Sequence, residues 1–204
     1  MNFDDGLTSQ QSAQLKTVFE LAEACQYEAA HCQHVTRLAL RLFDNLTELH
    51  GLGSQERFWL LCASLLHDIG WLEGWKGHHK TSLKIILTTP MLPFESKERL
   101  IIGSIARYHR KALPSQEHDH FAALEPAEQE MASKLAALLR LADGLDHLHN
   151  NSVRDFSCKV SKKQVLIKAA CGKAGGGDED MLKKSDLFEQ VFHRAVCVNC
   201  RDDH

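Results

Sequence analysis

Apolar residues recur at helical spacing through the first three quarters of the chain, and the pattern shortens towards strand spacing near its end. Leu15, Val18, Phe19 and Ala22 share one helix face, and Thr8 followed by Gln11 supplies a capping box to start it. A second helix is predicted over about 28–49, where Cys32, Val35, Ala39, Leu42, Phe43 and Leu46 form a stripe that Gly51 and Gly53 end. Ser54 caps a third through Phe58, Leu61, Cys62, Leu65 and Leu66, closed by Gly70. A loop rich in glycine and tryptophan (71–77) leads into a short helix from His78 to about 87, and Pro90 and Pro93 then break the chain. Ser96 caps a helix through Leu100, Ile101, Ile105 and Tyr108, followed by a polar loop over 114–120. Pro126 opens a long helix through Met131, Leu135, Leu138, Leu139, Ala142 and Leu145.

After Asn150 two strands are predicted, over 153–160 and 164–169, joined at Ser161-Lys162-Lys163. A Gly-rich acidic loop (172–180), a helix near 185–193 and a last strand at 195–198 complete the chain. The expected fold class is therefore mainly α. A helical, metal-binding bundle occupies 1–150, and a small α+β tail over 151–204 packs on it.

Composition narrows the function classes. The 204 residues suffice for one well-buried domain with an appendage, and 44% hydrophobic with 25% charged residues excludes a disordered or membrane class. The apolar runs at 58–66 and 83–87 are too short to span a bilayer. The acidic N-terminus lacks a signal-peptide layout, so a cytoplasmic protein is expected. A net charge of −3 gives no reason to expect nucleic acid as a partner. Seven scattered cysteines, several on apolar helix faces, read as reduced thiols. Cys197 and Cys200 have CxxC spacing but no second pair, so a zinc or redox role for them has little support.

Among thirteen histidines, position decides which matter. In Leu65-Leu66-His67-Asp68-Ile69-Gly70 an apolar helix ends in adjacent imidazole and carboxylate, a donor mixture that suits Mn, Fe, Ni, Zn or Mg. Alone, such a pair reads as decoration of a helix end. It is not alone: His31 shares a helix face with Val35, Leu38 and Leu42, and an ionisable group there needs a partner. Asp143 and Asp146 pose the same problem near the end of the long helix. His31, His67, Asp68 and Asp143 thus make one metal site, and His78 and His109 suggest a second ion sharing the Asp68 carboxylate. Lys80, Arg107, Arg110, Lys111 and Arg140 are candidates to neutralise phosphate charge, although each also reads as a solvated helix face.

The order His31…His67-Asp68…His78…His109…Asp143 resembles the HD superfamily of metal-dependent phosphohydrolases. The stretches 38–44, 77–82, 105–114, 135–146 and 186–192 look most similar to the C-terminal HD region of the exopolyphosphatase/guanosine-pentaphosphate phosphohydrolase (Ppx/GppA) family, and the resemblance runs from about Tyr27 to Val198. The HD pattern sets its first histidine four residues before a valine, which selects His31 over His34. Spacing to Ser82 favours His78 over His79, leaving His79 to hydrogen-bond phosphate. The resemblance implies hydrolysis of a phosphate ester or anhydride of a small molecule, nucleotide or polyphosphate-like, by water activated on one or two divalent ions, with Asp68 catalytic. The family's actin-like domains with glycine-rich phosphate loops have no counterpart here, so polyphosphate and pppGpp are not carried over as substrates. The alternative is a non-catalytic module that binds a nucleotide or polyphosphate, as a homodimer or with another partner.

Overall fold

The computed structural model describes residues 3–171 and 182–202, without the side chains of 201 and 202. It is mainly α, with a small three-stranded sheet near the C-terminal end. Helix α1 (Ser9–Ala24) starts at the expected box: Thr8 Oγ1 accepts from the Gln11 N–H at 3.2 Å, and Gln11 Oε1 accepts from the Thr8 N–H at 3.1 Å. It buries Leu15, Val18, Leu21 and Ala22.

The second helix stops earlier than its stripe suggests. Helix α2 spans Ala29–Asn45, and a separate turn, α3 (Thr47–His50), ends at Gly51 with φ 67°. His50 holds this corner, pairing one ring nitrogen with the Phe43 carbonyl at 2.9 Å while the other accepts from the Leu52 N–H at 2.9 Å. Helix α4 covers Ser54–Leu66, but its N-cap is Gly53, whose N–H donates to Glu56 Oε2 at 2.8 Å. Likewise α6 (Ser96–Arg107) is capped one residue before the expected serine, by Glu95, whose N–H donates to Glu98 Oε2 at 3.2 Å. In both cases a glutamate at the third helical position fixes the start.

A 3₁₀ turn at Ile69–Glu73 takes up the first part of the 71–77 loop, and α5 (His78–Thr88) follows. One turn of helix, α7 (Asp119–Ala122), interrupts the 114–120 loop. Helix α8 (Pro126–Leu145) is the axis of the bundle. Every residue from Leu135 to Leu145 is buried, as a helix enclosed on all sides requires. It packs against α2, α4 and α6. Among the described residues, no helix is long and apolar enough to cross a membrane.

Strands β1 (Val153–Val160) and β2 (Gln164–Cys171) pair antiparallel, and β3 (Ala195–Asp202) joins β2 in parallel, so the second and third strands run longer than the sequence suggested. A 3₁₀ turn at Leu182–Lys184 and helix α9 (Asp186–Phe192) precede β3, and α9 packs on α8. The expected Gly-rich loop at 172–180 lies outside the described residues. The expectation of reduced thiols holds for Cys25, Cys32, Cys62, Cys158 and Cys197 but fails for Cys171 and Cys200. Parallel pairing of β2 with β3 brings the Cα atoms of Cys171 and Cys200 to 5.6 Å, and the two are joined in a disulfide. The CxxC pair is thereby split, with Cys197 left as a free thiol.

Candidate metal centre

Five elements bring the six expected ligands together. His31 lies in the first turn of α2, His67 caps the end of α4, Asp68 follows it, His78 is the first residue of α5, His109 lies two residues beyond α6, and Asp143 sits in the last turn of α8. All six are buried. Asp68 stands in the middle. Its Oδ2 lies 3.5 Å from His67 Nε2 and 3.9 Å from His31 Nε2, while its Oδ1 lies 3.0 Å from His78 Nε2 and 3.3 Å from His109 Nε2. Asp143 Oδ1 completes the first group, 3.5 Å from His31 Nε2. Two clusters result, His31/His67/Asp143 and Asp68/His78/His109, each with its donor atoms within 4.8 Å of one another.

The far side of each ring explains why Nε2 points inward. Nδ1 of His67 faces the Ser64 carbonyl at 2.7 Å, that of His78 the Trp75 carbonyl at 3.0 Å, and that of His109 the Ala106 carbonyl at 2.7 Å. Nδ1 of His31 faces Asp146 Oδ2 at 2.8 Å. Only an N–H satisfies a carbonyl or carboxylate, so each neutral ring carries its proton on Nδ1 and presents a bare lone pair at Nε2. Those lone pairs face one another, 3.4 Å apart for His78 and His109, and face carboxylate oxygens. Accordingly His31 Nε2, His67 Nε2 and Asp68 Oδ1 are buried without a hydrogen-bond donor among the described residues.

Buried acceptors crowded together need a cation or added protons between them. Burial holds the His67 imidazole below its ordinary pKa and the His109 imidazole well below it, against the weaker opposite pull of Asp68. Burial also acts to lower His31, but its bonds to Asp143 and Asp146 together raise it to about 9. Burial alone would raise the two carboxylic acids; His67, His78 and His109 hold Asp68 low, and Lys184 and His31 hold Asp143 well below the usual carboxylate range. With metal–nitrogen bonds of about 2.1 Å, neighbouring ligands lie roughly 3–4 Å apart, the spacing seen here. The residues therefore fit a divalent ion in either cluster.

The loop between α4 and α5 is clamped to this centre. Ser82 Oγ donates to the His67 carbonyl at 2.7 Å and accepts from the Gly70 N–H at 2.9 Å. Gly70 is required by contact rather than by helix termination, since a Cβ there would sit 2.1 Å from the His78 carbonyl oxygen and 2.6 Å from the Ser82 nitrogen.

A cavity of about 170 Å³ opens on the cluster, walled in part by Trp71, Trp75, Arg110 and Lys184. The Arg110 guanidinium lies 4.8 Å from the Trp75 ring centroid, and its Nη1 is 3.4 Å from His78 Nε2. Trp71 and Trp75 meet edge to face at 4.6 Å and remain 40% and 57% exposed, so they form part of the mouth.

The other expected phosphate contacts separate. His79 is buried but belongs to neither cluster; desolvation first, then nearby Arg107, lowers its pKa to about 4. Lys80 and Arg107 line a different, larger cavity. Arg140 is not free for substrate: its Nε and Nη2 donate to Asp186 at 2.7 Å each, and its other bonds reach the Tyr108 and Lys111 carbonyls at 3.3 and 3.4 Å. It braces the turn that carries His109. Lys111 is exposed in that turn, with φ 63°. His34 is buried on α2 outside both clusters.

Sequence reasoning named Asp146 without giving it a role and missed two further contributors. Asp146 orients His31 and accepts from the Asn151 N–H at 2.9 Å. His149 stacks on His31 with ring centroids 3.6 Å apart. Lys184, just before α9, donates to Asp143 Oδ2. Helical periodicity singled out Asp146 as a buried carboxylate; nothing local pointed to the other two.

Comparison with known proteins gives the family. The family model described as Ppx/GppA phosphatase, domain III, matches residues 14–190. Guanosine-5'-triphosphate,3'-diphosphate pyrophosphatase of Pseudoalteromonas atlantica (strain T6c / ATCC BAA-1087) is 25% identical over 111 residues, which are 54% of this chain and 22% of the relative. The chain thus aligns with about a fifth of that relative's length. With most of its length matched, the chain belongs to the Ppx/GppA phosphatase domain III family.

Proposed function

We propose that this chain is a metal-dependent phosphohydrolase that cleaves a phosphate ester or anhydride of a small molecule, a nucleotide or a polyphosphate-like anion. One observation carries the reading: Asp68 stands between two sets of histidines, and among the described residues His31 Nε2, His67 Nε2 and Asp68 Oδ1 are buried there with no hydrogen-bond partner. Family membership and the relative's name, that of a pyrophosphatase, support the same chemistry.

One or two divalent ions (Mn, Fe, Ni, Zn or Mg) would be held by His31, His67 and Asp143 and by Asp68, His78 and His109. Such ions supply Lewis acidity to a phosphoryl oxygen and lower the pKa of water. Asp68 keeps the two histidine sets in register from one carboxylate. Arg110 and Lys184 bring positive charge to the mouth, where it offsets charge developing on a phosphoryl group. The indole faces exclude water on one side and offer a flat surface to an organic substrate.

The test is metal content by mass spectrometry, with phosphate release from nucleotides and pyrophosphate, on wild type and His67→Ala/Asp68→Ala. One or two equivalents of metal, lost together with hydrolysis in the variant, is the expected result. Hydrolysis unchanged in the variant would remove the proposal. A second reading, a binding module without turnover, is favoured by the match to a fifth of a longer enzyme. Saturable nucleotide binding with no turnover under Mn, Fe or Zn would select it.

A further inference from the structure

The larger cavity has a chemistry of its own. About 710 Å³ in volume, it lies between α5, α6 and the 117–123 segment, and none of the six clustered ligands lines it. Lys80, Lys84 and Arg107 supply charge on one side, and Leu83, Leu87 and Leu100 an apolar wall. His118 and His120 line it too, their rings stacked with centroids 5.7 Å apart. Glu117 and Asp119 also border it, but both are exposed at the rim.

Arg107 is the decisive residue. It is 4% exposed, and its Nη1 is buried with no hydrogen-bond partner among the described residues. Burial lowers its pKa, and the influence that opposes this comes from Tyr108, not from a carboxylate. His120 Nε2 is a second buried atom without a partner on the same cavity. His118 is held in place by a 2.8 Å bond between its Nδ1 and the Tyr108 hydroxyl. A buried guanidinium with an unpaired N–H is strongly unfavourable in an isolated fold. Its contrast with Arg140, also buried but doubly paired to Asp186, is direct. Among the described residues Arg107 has no ion-pair partner, and its guanidinium lies 5.7 Å from the Tyr108 ring centroid.

We propose that this cavity is a second binding site, separate from the metal centre, for a nucleoside phosphate. Arg107, with Lys80 and Lys84 above it, receives the phosphate. The leucine wall and the stacked His118 and His120 rings receive the nucleoside. The volume falls within the range of sites for organic ligands and is larger than bare phosphate needs.

The test is calorimetric titration with GMP, AMP and inorganic phosphate in EDTA, where divalent ions cannot hold phosphate at the clustered histidines. Wild type should bind a nucleotide at one site, at least tenfold tighter than phosphate. Arg107→Met should weaken binding by about tenfold to a hundredfold, and the exposed double variant Lys80→Ala/Lys84→Ala by a smaller factor. His67→Ala/Asp68→Ala should bind as wild type does. The Lys80/Lys84 variant keeps the test valid if Arg107→Met does not fold. No saturable binding by wild type would overturn the proposal. So would binding lost in His67→Ala/Asp68→Ala but kept in Arg107→Met. Phosphate binding as tightly as either nucleotide would overturn the assignment of a nucleoside ligand.

Discussion

Replacing Gly70 by alanine would place a methyl carbon 2.1 Å from the His78 carbonyl oxygen, 2.6 Å from the Ser82 nitrogen and 2.9 Å from the His78 carbonyl carbon. All three are backbone atoms of α5, so no side chain can rotate away, and the first turn of α5 must retreat by roughly 1 Å. Overpacking of this kind costs about 1–3 kcal/mol. The retreat also strains two linked bonds, Gly70 N–H to Ser82 Oγ and Ser82 Oγ–H to the His67 carbonyl, each contributing about 1 kcal/mol. The expected destabilisation is therefore about 3–5 kcal/mol, a large share of the stability of a typical domain. The same displacement carries His78 away from Asp68, so the Asp68/His78/His109 cluster should lose metal before the His31/His67/Asp143 cluster does. Urea unfolding and metal content of Gly70→Ala are the assays. Gly77→Ala is the control: that position has φ 84° and open space around it, so about 1 kcal/mol of backbone strain is all that should appear. A Gly70→Ala protein within 1 kcal/mol of wild type, with unchanged metal content, would refute the reasoning.

Added divalent metal should raise the unfolding free energy by about 2.7 kcal/mol at a hundredfold excess over its Kd, and Asp68→Ala should reduce the gain; a thermal shift series checks both. Acid should weaken the α2–α3 corner. Burial lowers the pKa of His50 from 6.5, so the unfolded chain takes up the proton first. The contribution of His50 is then complete above about pH 6.5 and declines below it. Urea midpoints at pH 7.5 and 5.5 should differ less in His50→Asn than in wild type, and an equal difference would exclude His50 as a source. Asp186→Ala strips the partner from buried Arg140 and should cost about 1–3 kcal/mol, reduced from the fully buried case because Asp186 is half exposed; denaturant unfolding measures it.

Much of this was legible because the ligands sit on strongly periodic segments. His31 shares its face with Val35, Leu38 and Leu42, and the end of α4 presents His67 and Asp68 together. What stayed hidden depends on where helices stop and how they rotate. Arg107 and Arg110 are three residues apart and would share a face if α6 continued. It ends at Arg107, and the turn through Lys111 sends Arg110 to the metal cavity while Arg107 faces the other one. Arg140 looked like a phosphate contact because its partner, Asp186, lies 46 positions away. Lys184 reaches Asp143 across 41 positions, beyond any local pattern. The serines at 54 and 96 were read as caps one residue late, since glutamates at the third helical position do the work of a capping side chain.

The bond between Cys171 and Cys200 has a topological consequence. It closes a ring across 29 positions, and both tail residues that grip α8, Lys184 and Asp186, lie inside that ring. Chain-entropy reasoning assigns a closure of this length about 3–4 kcal/mol, gained by restricting the unfolded ensemble. Lys184 is thus delivered to the metal cavity on a tethered hoop rather than on a free end. Reductant should lower the unfolding midpoint by several degrees, and the tail's hold on Asp143 should loosen with it, so that the oxidation state of one bond in the sheet sets how firmly one wall of the site is kept in place.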